Sequence, residues 1–440
     1  MKLKRWFRKW AKRFWITLYS KSVRKFRANN MNMKLVGVSG SVGKTSTKFA
    51  LKAALDNGQN RVLVNEGSYN DPLASLFVLM GVEYPHIDSV PALMKAYLEL
   101  KKKSKEVADF DIGILEMGTD SPGEMKQFGK FLELDICVLT AITPEHMQNF
   151  KDMRELANEE LSVVRYSKKI FANSDLVEKE YRRELEKAGS DVRYFGTSDT
   201  NSVRVRSNEL QGIGLNTKRE FEIKLDGQEF KVRSGLLHGH SGFVIGAALM
   251  VAEELNLDLN QAAESLGGLS ATNGRGKLLA GLRGSVIIDD SYNNVGANVS
   301  IAALDLLYEF NAKRKIAVLG GINEMSEGLE REAHSEVAFY LKKKKLQEVV
   351  LIGSLAKKYY IPILKTAGVK YRWFANPYRA GNYLEGEVVA GMAVLVKGSQ
   401  NGIYSEEVIP FILKDKTDIK ELVRQSESWS KKKRESFGKL

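Results

Sequence analysis

The sequence predicts an α/β protein: a mostly parallel sheet with a small antiparallel portion, followed by a smaller Rossmann-like domain. Three observations carry this expectation. Strand-length apolar runs alternate with helix-period stretches from about residue 33 onward. Most of these runs stop in glycine or a polar cluster, as strands that feed ligand-binding loops do. The first run, Leu35-Val36-Gly37-Val38, breaks into Ser39-Gly40-Ser41-Val42-Gly43-Lys44-Thr45-Ser46 and then a helical pattern.

The 440 residues suggest two or three domains with sizeable cores. The one cysteine, Cys137, sits in an apolar run, which excludes a disulfide framework and fits a reducing, cytoplasmic setting. No run is long enough to span a bilayer, and no secretory leader pattern is evident. The net charge of +13 favours anionic partners.

Residues 1–32 form a basic aromatic segment. Its first thirty residues hold eleven Lys and Arg and no acid, interleaved with Leu3, Phe7, Trp10, Phe14 and Leu18 at helical spacing, with Trp6 and Trp15 beside them. Such a stripe suits an amphipathic helix on an anionic membrane. It equally suits a helix packed on its own domain or on a partner. A nucleic-acid arm fits less well, because the aromatic residues fall on a helical stripe.

A first domain over residues 33–271 is expected to bind nucleotide. Glycines at 40 and 43 let backbone N–H groups approach phosphates at a helix N-terminus. Lys44 reaches the β/γ-phosphates, and the Thr45 hydroxyl suits Mg²⁺. Ser41 and Ser46 complete the loop, with Val38 where the commoner motif has its first glycine. A helix over 91–107 leads to the strand 111–115, which delivers Glu116 and Gly118. The strand 135–140 ends in Thr143-Pro144-Glu145-His146. Glu116 and His146 thus lie beyond strand C-termini beside the phosphate loop, where a metal site is plausible. Short alternating runs between residues 197 and 231 predict antiparallel hairpins, and an apolar helix spans 243–255.

Asn273-Gly274-Arg275-Gly276 reads as a hinge into a second domain over 272–425. Strands are expected at 285–288, 315–319, 349–352 and 393–396, the first ending in Asp289-Asp290-Ser291-Tyr292-Asn293 and the last in Lys397-Gly398-Ser399. Residues 426–440 form a basic tail.

In order, Gly40-x-x-Gly43-Lys44-Thr45, Glu116-x-Gly118 with Gly123-Glu124, Thr143-x-x-His146 with Phe150, Gly274-Arg275-Gly276, Asp289 to Asn293 and Val396 to Ser399 resemble the Mur ligase family. Gly320 with Glu324 and Glu327 adds a weaker match. The resemblance covers roughly residues 34–430 and is closest to the branch that adds D-Ala-D-Ala. It implies a P-loop Mur-ligase central domain, a C-terminal domain that closes over it, and ATP-dependent amide-bond formation with ATP and Mg²⁺. By this resemblance Thr45 and Glu116 hold the nucleotide's Mg²⁺ and His146 a second ion. Arg275 and Asp290 contact the nucleotide, Tyr292 and Asn293 lie near the base, and Asn70, Lys397 and Ser399 meet the substrates. Those would be a UDP-muramyl tripeptide and D-Ala-D-Ala, handled by a monomer. The alternative within this class is a related ligase acting on a different carboxylate and amine pair, polyglutamate-like or lipid-linked. The alternative from another class is a P-loop NTPase with a nucleic-acid arm.

Four departures stand out. The family carries a lysine, carbamylated to a carboxylate, where Glu160 falls fourteen residues beyond His146. A glutamate there offers a permanent carboxylate, with Glu159 as its rival. The Asn-rich loop is shortened to Gly67-Ser68-Tyr69-Asn70-Asp71-Pro72-Leu73. Ser241 and Val244 replace asparagines after His240. The domain that binds the UDP end is expected to be lacking, since the P-loop follows the basic segment directly.

Overall fold

In the computed structural model, residues 2–437 are described except 57, 66–69, 190, 293–295, 324–326, 345 and 400–401, with the backbone alone for 2–10 and 327. The predicted loop positions 67–69, Asn293 and Glu324, and the Glu327 side chain, lie outside the described residues. The chain divides into two compact units. Unit 1 comprises residues 1–206, 222–232 and 242–266; unit 2 comprises 207–221, 233–241 and 267–440. The sequence reading set this boundary at 271/272 and kept residues 1–32 apart.

One sheet contains nine strands: β1 (Lys34–Ser39), β2 (Val62–Val64), β3 (Ile112–Glu116), β4 (Leu134–Leu139), β5 (Ser167–Asn173), β6 (Asp191–Gly196), β7 (Val203–Gln211), β8 (Lys218–Leu225) and β9 (Gln228–Ser234). Their order is β2-β3-β1-β4-β5-β6-β7-β8-β9, parallel from β2 through β7. Asp226 and Gly227, both at positive φ, make the two-residue turn of a β8–β9 hairpin. The antiparallel portion therefore extends the parallel sheet. β1 lies between β3 and β4, and every residue of β1 after Lys34 is buried. This explains its continuous apolar run.

Six helices of unit 1 matter below: α1 (Lys2–Asn29), α2 (Lys44–Leu55), α3 (Pro72–Met80), α4 (Val90–Lys103), α5 (Met125–Phe128) and α6 (Met153–Leu161). The Asp71 side chain caps α3 by accepting from the Leu73 and Ala74 N–H groups, and Ser89 caps α4. Helix α1 packs on these two. Ile16, Tyr19, Val23 and Phe26 are at most 4% exposed, within one core with Leu76, Phe77 and Ala96. The Tyr19 ring meets the Phe77 ring edge-on, and Arg27 pairs with Asp135 at 2.7 Å. Ile16, Tyr19, Val23 and Phe26 are thus part of their own domain's core. The buried stripe is not the expected one, since Phe14 is 52% exposed and Leu18 half-buried. Tyr19 and Val23 follow Ile16 by three and seven residues, so this second apolar face is as helical as the aromatic one.

Unit 2 holds a six-stranded sheet of β10 (Lys277–Ala280), β11 (Val286–Asp290), β12 (Arg314–Leu319), β13 (Glu348–Ile352), β14 (Tyr371–Phe374) and β15 (Met392–Lys397). The order is β10-β11-β15-β12-β13-β14, with β10 antiparallel and the others parallel, as the Rossmann-like expectation required. Asp290 lies in register with Lys397, so two of the sequence motifs end on adjacent strands. The segment expected as a hinge is held by hydrogen bonds within unit 2. Gly276 N donates to Asp289 O, Tyr292 N donates to Gly274 O, and Gly274 N donates to the Asp289 carboxylate. Gly274 and Gly276 have φ of +73° and +87°, and a Cβ on Gly276 would come within 2.7 Å of His238.

Candidate active site

The geometry of the phosphate loop follows from where β1 stops. In register, Val38 pairs with Glu116 of β3 and Ser39 with Leu139 of β4. Three strand C-termini therefore converge on the loop. Gly40, at φ +120°, allows this closeness, because a Cβ there would lie 2.5 Å from Thr140 Oγ1 and 2.7 Å from Ala141 N. Ser41 N donates to Ala141 O at 3.0 Å. Thr140 Oγ1 donates to Val42 O at 2.6 Å, and Thr143 N to Ser41 Oγ at 2.8 Å. Gly43, at φ +84°, turns the chain into α2. Ser46 lies half-buried in the first turn.

Lys44 Nζ donates to the carbonyls of Gly40 and Ser41 and to Glu145 Oε2 at 3.3 Å. Burial pulls its ammonium down, but Glu145, Glu160 and Glu116 together outweigh that and hold it above its ordinary value. The Thr45 hydroxyl donates to Glu116 Oε1 at 2.9 Å. The other oxygen of Glu116 pairs at 3.0 Å with Lys48 Nζ, whose side chain is fully buried. Sequence reasoning missed Lys48, since a lysine four residues beyond another reads as a solvated helix face.

Glu160 is 1% exposed and accepts from Ser39 Oγ at 2.6 Å, at the end of β1. Burial pushes its carboxyl up to about 7, against the opposing pull of Lys44 and the Ser39 hydroxyl. Its rival points elsewhere: Glu159 accepts from Gly123 N at 2.8 Å and Met125 N at 2.6 Å, fastening the start of α5. Glu124 likewise closes its own loop, accepting from Asp120 N and Ser121 Oγ. His146 adopts a left-handed backbone at φ +52°, rare for a non-glycine residue. Its Nε2 lies 3.3 Å from Asp120 and 3.6 Å from Glu145. The Asn70 side chain packs on Gly118, where a Cβ would approach it within 2.5 Å; its backbone carbonyl accepts from Gly118 N at 2.8 Å.

Mg²⁺ suits the Thr45–Glu116 pair. Both donors are hard oxygens on the phosphate loop's doorstep, and Mg²⁺ usually takes one or two carboxylates plus the phosphates of its nucleotide. Among the described residues no three His, Cys, Asp or Glu side chains form a ready metal cluster. His146 and Glu160 have the partners just given, and Glu160 and Glu116 both act on Lys44.

Within unit 2, Asp290 is fully buried, 3.3 Å from His238 Nε2 and 3.9 Å from Lys397 Nζ. Lys397 donates to Gly398 O at 2.7 Å, and burial lowers its ammonium against the opposing charge of Asp290. Ser399 is 2% exposed. The expected substrate contacts Lys397 and Ser399 are therefore interior groups here. Asp289, receiving Ser291 N, Ser291 Oγ and Gly274 N, is nonetheless raised by burial to about 6. Arg275 lies over the Tyr292 ring at 5.5 Å. Arg424, unforeseen from sequence, lies 5.0 Å from the same ring and pairs with the buried Glu406.

Residues 38–252 match the Mur ligase middle domain. The chain is 22% identical over 391 residues to a UDP-N-acetylmuramoyl-tripeptide--D-alanyl-D-alanine ligase from Rickettsia prowazekii, covering 88% of this chain and 79% of that one. It is 25% identical over 331 residues to the enzyme of that name from Bacillus subtilis, covering 74% of this chain but 64%, less than two thirds, of the relative. Among solved structures, MurF from Thermotoga maritima in complex with ADP aligns at a TM-score of 0.71 and 21% identity, over 95% of this chain and 84% of that one. The phosphate loop and its converging strand ends fall within the residues, 38–252, that match the Mur ligase middle domain, and the likenesses to solved structures extend the shared fold beyond them.

Proposed function

We propose that the protein is an ATP-dependent amide ligase that adds D-Ala-D-Ala to a UDP-muramyl tripeptide in peptidoglycan precursor synthesis. The observation that carries this reading is the Thr45–Glu116–Lys48 arrangement beside a closed phosphate loop. In such a reaction a carboxylate oxygen attacks the γ-phosphorus and ADP leaves with the bridging electron pair. The amine nitrogen then attacks the acyl carbon, loses its proton, and phosphate departs. Lys44 neutralises charge on the transferring phosphoryl group, exchanging its contacts with Glu145 and the loop carbonyls for phosphate oxygens. Thr45 and Glu116 would hold Mg²⁺, which draws charge from the phosphates and orients them. Lys48 fixes Glu116 by occupying its second oxygen. Glu160 offers a carboxyl group, ionised when Lys44 or a bound cation opposes its burial, at the position where the resemblance implies a carbamylated lysine, and His146 stands near it in the chain as the second ion's ligand.

The reading extends to place. No helix among the described residues is long and apolar enough to cross a membrane. We place the protein in the cytoplasm as a monomer, with its basic N-terminal residues meeting the anionic inner surface where lipid-linked precursors form.

The test is ADP release by the full chain across pairs of carboxylates and amines. Turnover is expected to require both UDP-muramyl tripeptide and D-Ala-D-Ala, and Lys44→Ala should lower it roughly 10²–10³-fold. Turnover with another pair alone moves the substrate assignment. Stimulation by DNA or RNA without any acceptor, or unchanged turnover in Lys44→Ala, overturns the ligase reading.

A further inference from the structure

Helix α1 runs alongside α4 in a nearly constant register. Tyr19 Oη donates to Leu93 O at 2.8 Å, Asn29 Nδ2 to Ser104 O at 3.0 Å, and Asn30 Nδ2 to Glu106 O at 3.2 Å. The offsets are 74, 75 and 76 residues, so the two helices are side by side and parallel. Helix α4 buries Leu93, Ala96 and Leu100 on its inner side. On its outer side it exposes large apolar groups: Val90 65%, Met94 47% and Leu98 61%, preceded by Ile87 at 45%. Val90, Met94 and Leu98 are four residues apart and form one stripe about 12 Å long. Lys101 continues it at the same angular position, and Lys95 and Lys102 flank it in the open. By the register, Phe14 of α1, itself 52% exposed, stands level with the start of this stripe.

We infer that the outer face of α4 and the neighbouring part of α1 form a surface that docks on an anionic lipid bilayer. This rests on the proposal that the N-terminal residues meet such a membrane, and adds to it the apolar half of the contact. Three features select lipid over a protein partner. The stripe is one residue wide per turn, too little for the roughly 800 Å² per side of a stable protein interface. It lies beside α1, whose sequence holds eleven basic residues and no acid; Lys12 and Arg27 pair with Asp71 and Asp135, while Arg13, Lys21, Arg24 and Lys25 are exposed. The acids around it are outnumbered or paired: Glu99 faces Lys95 at 3.8 Å, Glu106 pairs with Lys103 at 2.8 Å, Asp88 and Glu83 precede the helix and Asp109 follows it. A helix with an apolar stripe and lysines at its margins lies in the interface, apolar side down, with the lysine stems reaching the headgroups.

The experiment is co-sedimentation of the full chain with phosphatidylglycerol/phosphatidylcholine vesicles and with pure phosphatidylcholine vesicles, at low and high salt. The variants are Val90→Ser/Met94→Ser/Leu98→Ser, all at exposed positions, and Lys4→Glu/Arg5→Glu/Arg8→Glu/Lys9→Glu. Wild type should bind the anionic vesicles, less so at high salt, and each variant should weaken binding at least tenfold. Affinity for ADP, measured in parallel, should stay unchanged and reports separately on the nucleotide site. Vesicle binding by the serine variant equal to wild type removes α4 from the surface while leaving the N-terminal contact standing. Failure of wild type to bind anionic vesicles overturns both. A wild-type dimer that the serine variant dissociates assigns the stripe to a second copy of the chain and also overturns the lipid inference.

Discussion

Adjacent glutamates take different partners because consecutive helical residues point about 100° apart. Glu160 turns to Ser39 beneath the phosphate loop, and Glu159 to the N–H groups of Gly123 and Met125. Sequence spacing named both, and packing gives each its own partners. Glu160→Gln should lower turnover roughly 10–100-fold, the range for groups that tune a metal site, with no recovery on adding bicarbonate. Glu159→Gln should keep turnover but cost about 1–3 kcal/mol, since its amide sets one donor against another. Urea unfolding and ADP release on the two variants separate these effects, and a turnover loss confined to Glu159→Gln would reverse the assignment. The loop itself was legible because Gly40, Gly43, Lys44 and Thr45 act through local backbone geometry. Lys48 was not legible. Its burial comes from β3, more than sixty residues away in the chain, and nothing in α2 marks it as interior. Arg424 and His238 escaped for the same reason, since their partners Tyr292 and Asp290 are remote in sequence.

At the scale of elements, the alternation of strands and helices was readable because buried parallel strands are continuous apolar runs. The internal register and the anchored Gly274–Gly276 segment were not, since their hydrogen bonds run to distant residues. Helix α1 shows how a sequence can carry two valid stripes. Its aromatic residues and lack of acids draw the eye to one face, while the core takes the other. Ile16, Tyr19, Val23 and Phe26 are each worth about 1.5–3 kcal/mol of burial. Together they rival the roughly 5–15 kcal/mol that holds a typical domain folded. Removing residues 1–30 should therefore leave unit 1 aggregated or unfolded, visible as lost cooperative melting. Removing residues 1–11 alone should leave melting and ADP binding intact. Normal melting of the longer truncation would show that α1 is dispensable to the core.

For the whole molecule, a nucleotide that binds only the folded chain must stabilise it, by about 2.7 kcal/mol at a hundredfold excess over Kd. MgADP should accordingly raise the melting temperature of wild type, and Lys44→Ala should lose most of that rise. An equal rise in the variant would mean that the nucleotide is held elsewhere. The pairing of α1 with α3 and α4 has one more consequence, and it concerns the order of synthesis. Tyr19 leaves the ribosome 74 residues ahead of Leu93, the residue whose carbonyl it will bond. At about 5–20 residues per second, the apolar side of α1 waits roughly 4–15 s for its partners. Through that interval the nascent segment is a cationic amphipathic peptide, free to adsorb to chaperones or membranes before any domain exists to claim it.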